Sequence, residues 1–357
     1  VWMMIAALLA AALWLNFATV IGAPVSTTHS IVGGVLGAGV AAGGWGIANW
    51  NVILQIAASW IVSPVLGGLI AGLFLYIIKH TVSYKRKVLT AAQVVVPRLV
   101  ALMAWAFSTY LMLKGVKQIV SVSFPVAALS GLAVAAVIYL IVKPLVRRAT
   151  DRLPDVKESI NELFTIPLIF AAALLSFAHG ANDVANAVGP LAGIYDAIVT
   201  GGLRTEARIP IWIMMVGALG IVLGLALFGP KLIRTIGSEI TELDRTRAFC
   251  IALAAAITVI FASQLGLPVS STHIAAGGVF GVGFLREYIK VNYSRMIEEI
   301  KLHHINDEPE KIEAFLARFK AATVRERSAM FRELKEQKSV SLLHKIERKN
   351  LRKIHRL

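Results

Sequence analysis

The first 78 residues of the chain contain no Asp, Glu, Lys or Arg, and no acidic residue occurs before Asp151. Such a stretch does not fit a soluble domain, in which about a quarter of the residues are charged. The whole chain is 57% hydrophobic and only 16% charged. Its apolar windows reach the roughly 20 residues that a helix needs to cross a hydrocarbon core about 30 Å thick. The sequence therefore predicts an all-α polytopic membrane protein.

Hydropathy alone places the membrane spans. We predict six uninterrupted spans, near residues 1–21, 53–78, 94–113, 124–142, 211–228 and 248–267. A further apolar segment, 163–200, is interrupted by Gly, Asn, Asp and Pro residues, and we count it as one crossing. The one cysteine, Cys250, lies inside an apolar run and is predicted to be a packing residue.

Basic residues indicate how the spans are oriented. They cluster in loops 79–88 and 143–157 and in the tail from residue 286, where 18 Lys and Arg accompany 11 Asp and Glu. Cytoplasmic loops carry such an excess of Lys and Arg, so these segments are expected inside the cell and the uncharged segment 41–51 outside. This explains the net charge of +15 without nucleic acid as a partner. We predict a multi-pass protein of the inner (plasma) membrane with a cytoplasmic tail.

A duplicated segment relates the two halves of the chain. Residues 16–39, NFATVIGAPVSTTHSIVGGVLGAG, align without gaps to residues 260–283, IFASQLGLPVSSTHIAAGGVFGVG, and match at 13 of 24 positions. The offset of 244 residues is far longer than a solenoid repeat. The repeated unit is therefore a half-protein that was duplicated once.

The charge pattern predicts that the two halves are inverted. The first copy must be entered from outside, because the span 53–78 that follows it leads to the basic loop 79–88. Counting spans forward from loop 143–162 puts the approach to the second copy on the cytoplasmic side. Inverted halves with polar, Gly- and Pro-containing apolar segments are typical of secondary transporters with a site near the midplane. We therefore expect an inverted-repeat secondary transporter with two re-entrant helical hairpins.

The same pattern predicts how the chain is organised. We expect a first transmembrane half at 1–142, a cytoplasmic linker at 143–162 and a second transmembrane half at 163–285. The remaining residues, 286–357, combine mixed charge with apolar residues at helical spacing, which indicates amphipathic cytoplasmic helices in a tail or an insertion.

Each copy of the duplicated segment carries hydroxyl side chains shortly after a proline. Pro24 and Pro268 suit a turn or the first position of a helix. The hydroxyls that follow would lie beside the free N–H groups of a helix N-terminus, an arrangement that binds anions. The alternative is that they only cap their helices. The candidate anion ligands are Ser26, Thr27 and Thr28 in the first copy and Ser270, Ser271 and Thr272 in the second.

A second polar motif, FAHGANDVANAVGPLAG at residues 177–193, lies within an apolar segment. Asp183 is a costly residue inside a membrane and is a functional candidate for that reason. On a helix, Asn182 and Asn186 share one face and Asp183 lies one position round. Carboxylate and amide oxygens are the ligands of hard cations, and a carboxylate can also carry a proton. The alternative is that these polar residues form a hydrogen-bonded cluster that only joins helices. His179 could likewise be a donor that joins helices.

Two other classes of protein could in principle use the same residues. An intramembrane hydrolase could pair Asp183 with His179, but no activated nucleophile accompanies them, so we predict that the protein is not an enzyme. An anion channel would share the half-helix ends, yet channels usually repeat around a pore axis. ATP-driven transport is disfavoured because no GKS or GKT loop is present.

His29 and His273 are expected to orient the hairpins and not to bind a metal, since no second His or Cys stands at the spacing of metal ligands.

Together, GANDVANAVGP, PVSTTH and PVSSTH resemble the motifs of the inorganic phosphate transporter (PiT) family, which includes bacterial low-affinity phosphate permeases. The resemblance covers roughly residues 1–285. It implies a symporter of inorganic phosphate with Na⁺ or H⁺ and no further cofactor, or of sulfate in some bacterial relatives. By motif it assigns the substrate to Ser26, Thr27, Thr28, Asn182, Ser270, Ser271 and Thr272, and the coupling cation or proton to Asp183 and Asn186.

The family pattern has a GAND motif in each half, whereas this sequence has one. We therefore expect the chain to be an internal fragment, with half of the ligand set in a missing N-terminal stretch. The resemblance leaves open whether phosphate travels free or as a metal–phosphate complex, and whether the protein forms a homodimer in the membrane lipid.

Overall fold

A computed structural model describes residues 1–23, 25–114, 122–156, 158–202, 209–239, 243–303, 309–322 and 326–334, with only the backbone described at 114, 231–239, 303, 309 and 311. Pro24, His304 and the tail beyond 334 lie outside the described residues. The helices are α1 (Trp2–Ile21), α2 (Thr27–Gly43), α3 (Trp50–Ile78), α4 (Val88–Lys114), α5 (Phe124–Thr150), α6 (Glu158–Leu163), α7 (Thr165–Thr200), α8 (Ile211–Glu239), α9 (Arg245–Gln264), α10 (Ser271–His303) and α11 (Pro309–Ala321).

The all-α membrane fold predicted from hydropathy is confirmed. Seven of the described helices are long and apolar enough to cross a membrane, and each corresponds to one of the predicted apolar segments. Large apolar side chains are exposed along α1, α3, α5 and α8, where a soluble protein would aggregate. In α9, by contrast, 67% of the apolar window is buried, against 6% in α8. Helix α9 is therefore central, and α8 presents its side chains to lipid.

The single crossing predicted for segment 163–200 corresponds to one helix. Helix α7 runs without a break from Thr165 to Thr200 and contains Pro190 in its interior. Proline is tolerated within a transmembrane helix because neighbouring helices, side chains and small backbone adjustments satisfy the freed carbonyl. The polar motif thus lies on one continuous helix. Helix α10 likewise continues past residue 286, where the composition changes, as far as His303.

The two copies of the duplicated segment form the same local structure. In each, a helix ends at a glycine in the left-handed conformation, Gly22 with φ 77° and Gly266 with φ 70°. Only glycine adopts this conformation without strain. The residue after each glycine donates its N–H to a carbonyl five residues earlier, Ala23 to Ala18 and Leu267 to Ala262. The chain then reverses into α2 or α10, so each copy is a helical hairpin with a tip, at residues 22–28 and 266–272.

Glycines bring helix α3 of the first half against helix α10 of the second. A Cβ added at Gly68 would lie 2.8 Å from the carbonyl oxygen of Gly277. A Cβ at Gly277 would fall on the backbone of Pro64. Such small-residue contacts are how helices pack closely in a membrane. The second hairpin is therefore held by a helix of the first half.

Three segments predicted to be cytoplasmic lie at one end of the molecule. Arg86 forms an ion pair of 2.7 Å with Glu326 of the tail. The backbone N–H of Leu89, at the start of α4, donates to Asp155 at 2.9 Å, which joins the residues directly after loop 79–88 to the end of loop 143–157. Burial raises the pKa of Tyr84 in the same loop, and the nearby Arg327 partly offsets that rise. The shared end agrees with the predicted orientation, in which all three segments face the cytoplasm.

The close contact of α3 and α10 predicts the outcome of a matched pair of substitutions. Gly277→Ala should lower the unfolding free energy by about 1–3 kcal/mol, because its Cβ has to displace backbone. Gly283→Ala, on the same helix with no atom within 4 Å of the new Cβ, should be neutral or slightly stabilising. Apparent unfolding temperatures in detergent would compare them. Equal temperatures for the two variants would contradict this packing.

Candidate functional site

The two hairpin tips meet against the polar face of α7. The Thr28 hydroxyl of the first tip donates to the carbonyl oxygen of Val269 in the second at 3.0 Å. Asn182 of α7 donates to the same carbonyl at 3.1 Å. Residues separated by more than 240 positions in sequence are therefore in direct contact. The sequence-predicted site residues Ser26, Thr27, Thr28, Asn182, Asp183, Asn186, Ser270, Ser271 and Thr272 all lie at or beside this junction.

The first serine of each tip caps a helix. Ser26 accepts a hydrogen bond from the N–H of His29 at 3.1 Å. Ser270 accepts from the N–H of His273 at 3.2 Å. Both are N-cap interactions, which satisfy N–H groups that the helix itself leaves free. Ser26 and Ser270 therefore act as helix caps, which was the alternative to anion binding. By capping, they hold in place the helix N-termini at which neighbouring residues could bind an anion.

Asp183 is the charged centre of the site. Its side chain is 7% exposed. Thr27 donates to its Oδ2 at 2.8 Å, and Asn182 donates to its Oδ1 at 3.1 Å. His179, one turn earlier, brings Nε2 to 3.4 Å from Oδ2. Donors face both carboxylate oxygens, so these buried acceptors are hydrogen-bonded.

Asn186 and Thr28 extend this network along α7. The amide of Asn186 donates to the Thr28 hydroxyl at 2.8 Å. Thr28 is fully buried, and its hydroxyl both accepts this bond and donates to Val269. Asn182 and Asn186 do share a face of α7, as their spacing predicted. The Thr28 hydroxyl is engaged in joining the two tips to α7.

The second tip carries two candidate hydroxyls that differ in burial. Ser271, the first residue of α10, is buried and hydrogen-bonds through Oγ with Nδ1 of His179. Thr272, the next residue, is half-buried. Thr27 in the first tip is half-buried as well. These half-buried threonines are the hydroxyl-bearing tip residues with the most access from solvent.

Three contributors to the site were not identified as site residues from the sequence. Trp60 of α3 donates from Nε1 to the carbonyl oxygen of Pro268 at 2.9 Å and packs against the ring of His29. The Val269 carbonyl accepts from two side chains. His179, considered from the sequence as a helix-joining donor or as the partner of Asp183 in a hydrolase, contacts both Asp183 and Ser271. A backbone carbonyl carries no sequence signal, but the i, i+4 spacing of His179 and Asp183 did place them on one face.

The arrangement combines groups suited to an anion and a cation. Two helix N-termini and their hydroxyls offer donors to a tetrahedral oxyanion. The Asp183 carboxylate and the amide oxygens of Asn182 and Asn186 offer the oxygen ligands that hard cations prefer. No group of three or more His, Cys, Asp or Glu in the described part of the chain is arranged to hold a metal ion. The fold and this junction are those of a multi-pass membrane protein with a buried polar site.

Comparison with known proteins identifies the family. A model of the phosphate transporter family matches residues 1–305. A Helicobacter pylori protein named "Putative phosphate permease" is 52% identical over 363 aligned residues, which cover 99% of this chain and 68% of that relative. A Chlamydia muridarum protein of the same name is 38% identical, covering 84% of this chain and 74% of the relative. A solved structure described as "The sodium-dependent phosphate transporter" shares 37% identity and a TM-score of 0.75, over 82% of this chain and 72% of that one.

The chain therefore belongs to the phosphate transporter family, which confirms the resemblance carried by its motifs. Its relatives are named as transporters. The seven apolar helices and the family together make it a multi-pass membrane protein.

The different burial of the two tip threonines predicts different effects of removing their hydroxyls. Thr28→Val should cost about 1–3 kcal/mol of stability, because Asn186 loses its acceptor and the buried Val269 carbonyl loses a donor. Thr272→Val, at a half-buried position, should leave stability nearly unchanged and weaken phosphate affinity about tenfold or more.

Unfolding temperature and the phosphate KM, measured on both variants, would separate the two effects. If Thr272→Val transports with an unchanged KM, Thr272 does not contact the substrate.

Proposed function

We propose that this protein is a secondary transporter that carries inorganic phosphate together with Na⁺ by alternating access. The observation that carries the proposal is the position of Asp183, a buried carboxylate at the junction of two helix N-termini. The family and the sodium-dependent transporter that the chain resembles support phosphate as substrate and Na⁺ as coupling cation.

The physical logic is mutual neutralisation. An oxyanion bound at the hairpin tips is repelled by the ionised Asp183 carboxylate, and in a low-dielectric site this repulsion is large. A cation on Asp183, Asn182 and Asn186 removes that repulsion. Anion binding and cation binding then favour one another, and by linkage the coupling is reciprocal. Either ion alone would bind weakly, so the carrier would move mainly when both are present.

The hairpins supply the donors for the anion in this proposal. The N–H groups of the first turn of α2 and of α10 have no partner within their helices. Thr27 and Thr272 add hydroxyls with access from solvent, while Ser26 and Ser270 hold the helix N-termini in place. The re-entrant, inverted arrangement of the hairpins, with tips near the midplane, is part of the proposal and lets each tip face a different side of the membrane during the cycle.

Sulfate and channel activity are the competing functions. Sulfate is also a tetrahedral oxyanion, and hydroxyls and N–H groups can bind it in the same way. An anion channel would use the same helix N-termini without coupling. The charge-balancing carboxylate favours coupled transport over a channel, because a buried anion at the binding site would hinder uncoupled anion flow.

Replacing Asp183 tests the proposed coupling. Asp183→Asn keeps the size and one oxygen but removes the charge, and a neutral amide is cheaper to bury. We expect Na⁺-driven accumulation of labelled phosphate in proteoliposomes to be lost, while the protein still folds. Asp196→Asn, which removes the other carboxylate of α7 away from the junction, is the matched control and should retain accumulation.

The same assay decides between the alternatives. Uptake that persists in choline and follows a pH gradient would show that the coupling ion is H⁺ and not Na⁺. Uptake of sulfate in preference to phosphate would show that sulfate is the substrate. If Asp183→Asn still concentrates phosphate with unaltered Na⁺ dependence, Asp183 does not couple the cation.

A further inference from the structure

Trp60 of α3 contacts both hairpins at the place where they meet. Its Nε1–H donates to the carbonyl oxygen of Pro268 in the second tip at 2.9 Å. Its ring packs against that of His29, the residue directly after the first tip, with ring centroids 3.8 Å apart. One side chain from outside the duplicated segment therefore connects the two hairpins.

The ring of His29 continues this connection to the second hairpin. It lies against the ring of His273 in a T-shaped contact, with centroids 4.6 Å apart. The two histidines occupy equivalent positions of the duplicated segment, each three residues after the serine that caps its helix. Trp60, His29 and His273 thus form a ring stack beside the tips, and Trp60 anchors this stack to α3.

Helix α3 is a firm support for the ring stack, because it packs closely on α10. A Cβ added at Gly67 would lie 2.8 Å from the carbonyl oxygen of Ile274, in the first turns of α10. There is no room for a side chain at this contact, as in other close helix pairs of membrane proteins. Trp60 lies about two turns before Gly67, so it extends the same contact to the second tip.

The bond from Trp60 acts on the donors that the second tip offers to an anion. The carbonyl of Pro268 and the N–H of Val269 belong to one planar trans peptide group and point in opposite directions. The next carbonyl, that of Val269, accepts from Thr28 and Asn182, which in the same way directs the N–H that follows it. Three side-chain donors therefore determine how the backbone enters α10 and where its first N–H groups point.

We propose that Trp60 is a positioning residue for phosphate, which holds the two hairpin tips at the spacing at which both contact one anion. The inference rests on the proposed phosphate transport and adds to it a residue that touches neither ion. Without the bond from Trp60, the second tip has more than one arrangement, and phosphate binds tightly to only one of them. The apparent affinity then falls in proportion to the fraction of molecules in that arrangement.

Trp60→Phe tests this, because it keeps a ring that can pack on His29 and removes the N–H. In proteoliposomes of the full-length protein at saturating Na⁺, the phosphate KM should rise about three- to tenfold, the effect of losing one hydrogen bond. The maximal rate per transporter molecule should stay within about twofold of the wild type, because saturating phosphate draws the tips into place.

Trp105→Phe is the matched control. Trp105 is also half-buried and donates from Nε1 to a backbone carbonyl, that of Ala128 at 3.0 Å, but this bond joins α4 to α5 and not the hairpin tips. Both variants should lower the unfolding temperature in detergent to a similar degree, whereas the KM should rise in Trp60→Phe alone. A purely structural role of Trp60 would lower the unfolding temperature and leave the KM of the folded molecules unchanged.

His29→Leu tests the other contact of Trp60, because it removes the ring that lies between Trp60 and His273. The phosphate KM should rise about two- to tenfold through loss of the ring contacts. His80→Leu is its control. His80 packs on Tyr76 of α3 with a comparable centroid distance of 3.9 Å, but it lies in the basic loop 79–88, and its replacement should leave the KM unchanged.

The outcomes separate this inference from the function on which it rests. Wild-type protein without saturable uptake of phosphate would overturn the proposed function before any variant is compared. With saturable uptake in the wild type, an unchanged KM in Trp60→Phe would overturn the positioning role, as would an equal rise of the KM in Trp105→Phe. Should Trp60→Phe not reach the membrane, an unchanged KM in His29→Leu would overturn it equally.

Discussion

The buried carboxylate of Asp183 is the interaction on which the junction depends. Its charge is unfavourable in a bundle of apolar helices unless donors surround it. One donor, Thr27, comes from the first hairpin tip, and another, Asn182, comes from α7, the helix that carries Asp183. Satisfying this one group therefore draws the first tip onto α7. Asn186 and Asn182 then hold Thr28 and Val269, which brings in the second tip.

The hairpins can meet there because the rest of the fold lets them approach. Left-handed glycines reverse the chain at equivalent positions in both copies, and serine caps start both following helices. Glycines on α3 and α10 allow backbone contact between the halves. Neither half contains the junction by itself, since the first supplies Thr27 and Thr28 and the second supplies α7 and Val269. The two copies of the duplicated segment thus meet at the junction, where Thr28 donates to the Val269 carbonyl.

Much of the fold and of the site could be predicted from the sequence, and the features that could not be predicted have identifiable physical reasons. Uncharged windows determined the spans, because the membrane penalises every buried charge. The repeat of PVSTTH and PVSSTH indicated two equivalent hairpins. The sequence could not show that α7 continues straight through Pro190, since the groups that satisfy a freed carbonyl lie on other helices. The Val269 carbonyl and Trp60 were missed because their roles depend on which helices become neighbours, which no local pattern of residues encodes.

The central claim is that both hairpin tips bind one phosphate together, with Na⁺ at Asp183. Hydrogen–deuterium exchange of the full-length protein in nanodiscs tests it most directly, because N–H groups in the first turn of a helix lack intrahelical partners and exchange readily unless a ligand covers them. Phosphate added with Na⁺ should slow exchange in peptides spanning 25–30 and 269–274 to a similar degree, and Asp183→Asn should abolish both effects. Slowed exchange in one tip alone, or equal protection by phosphate in choline, would contradict the account.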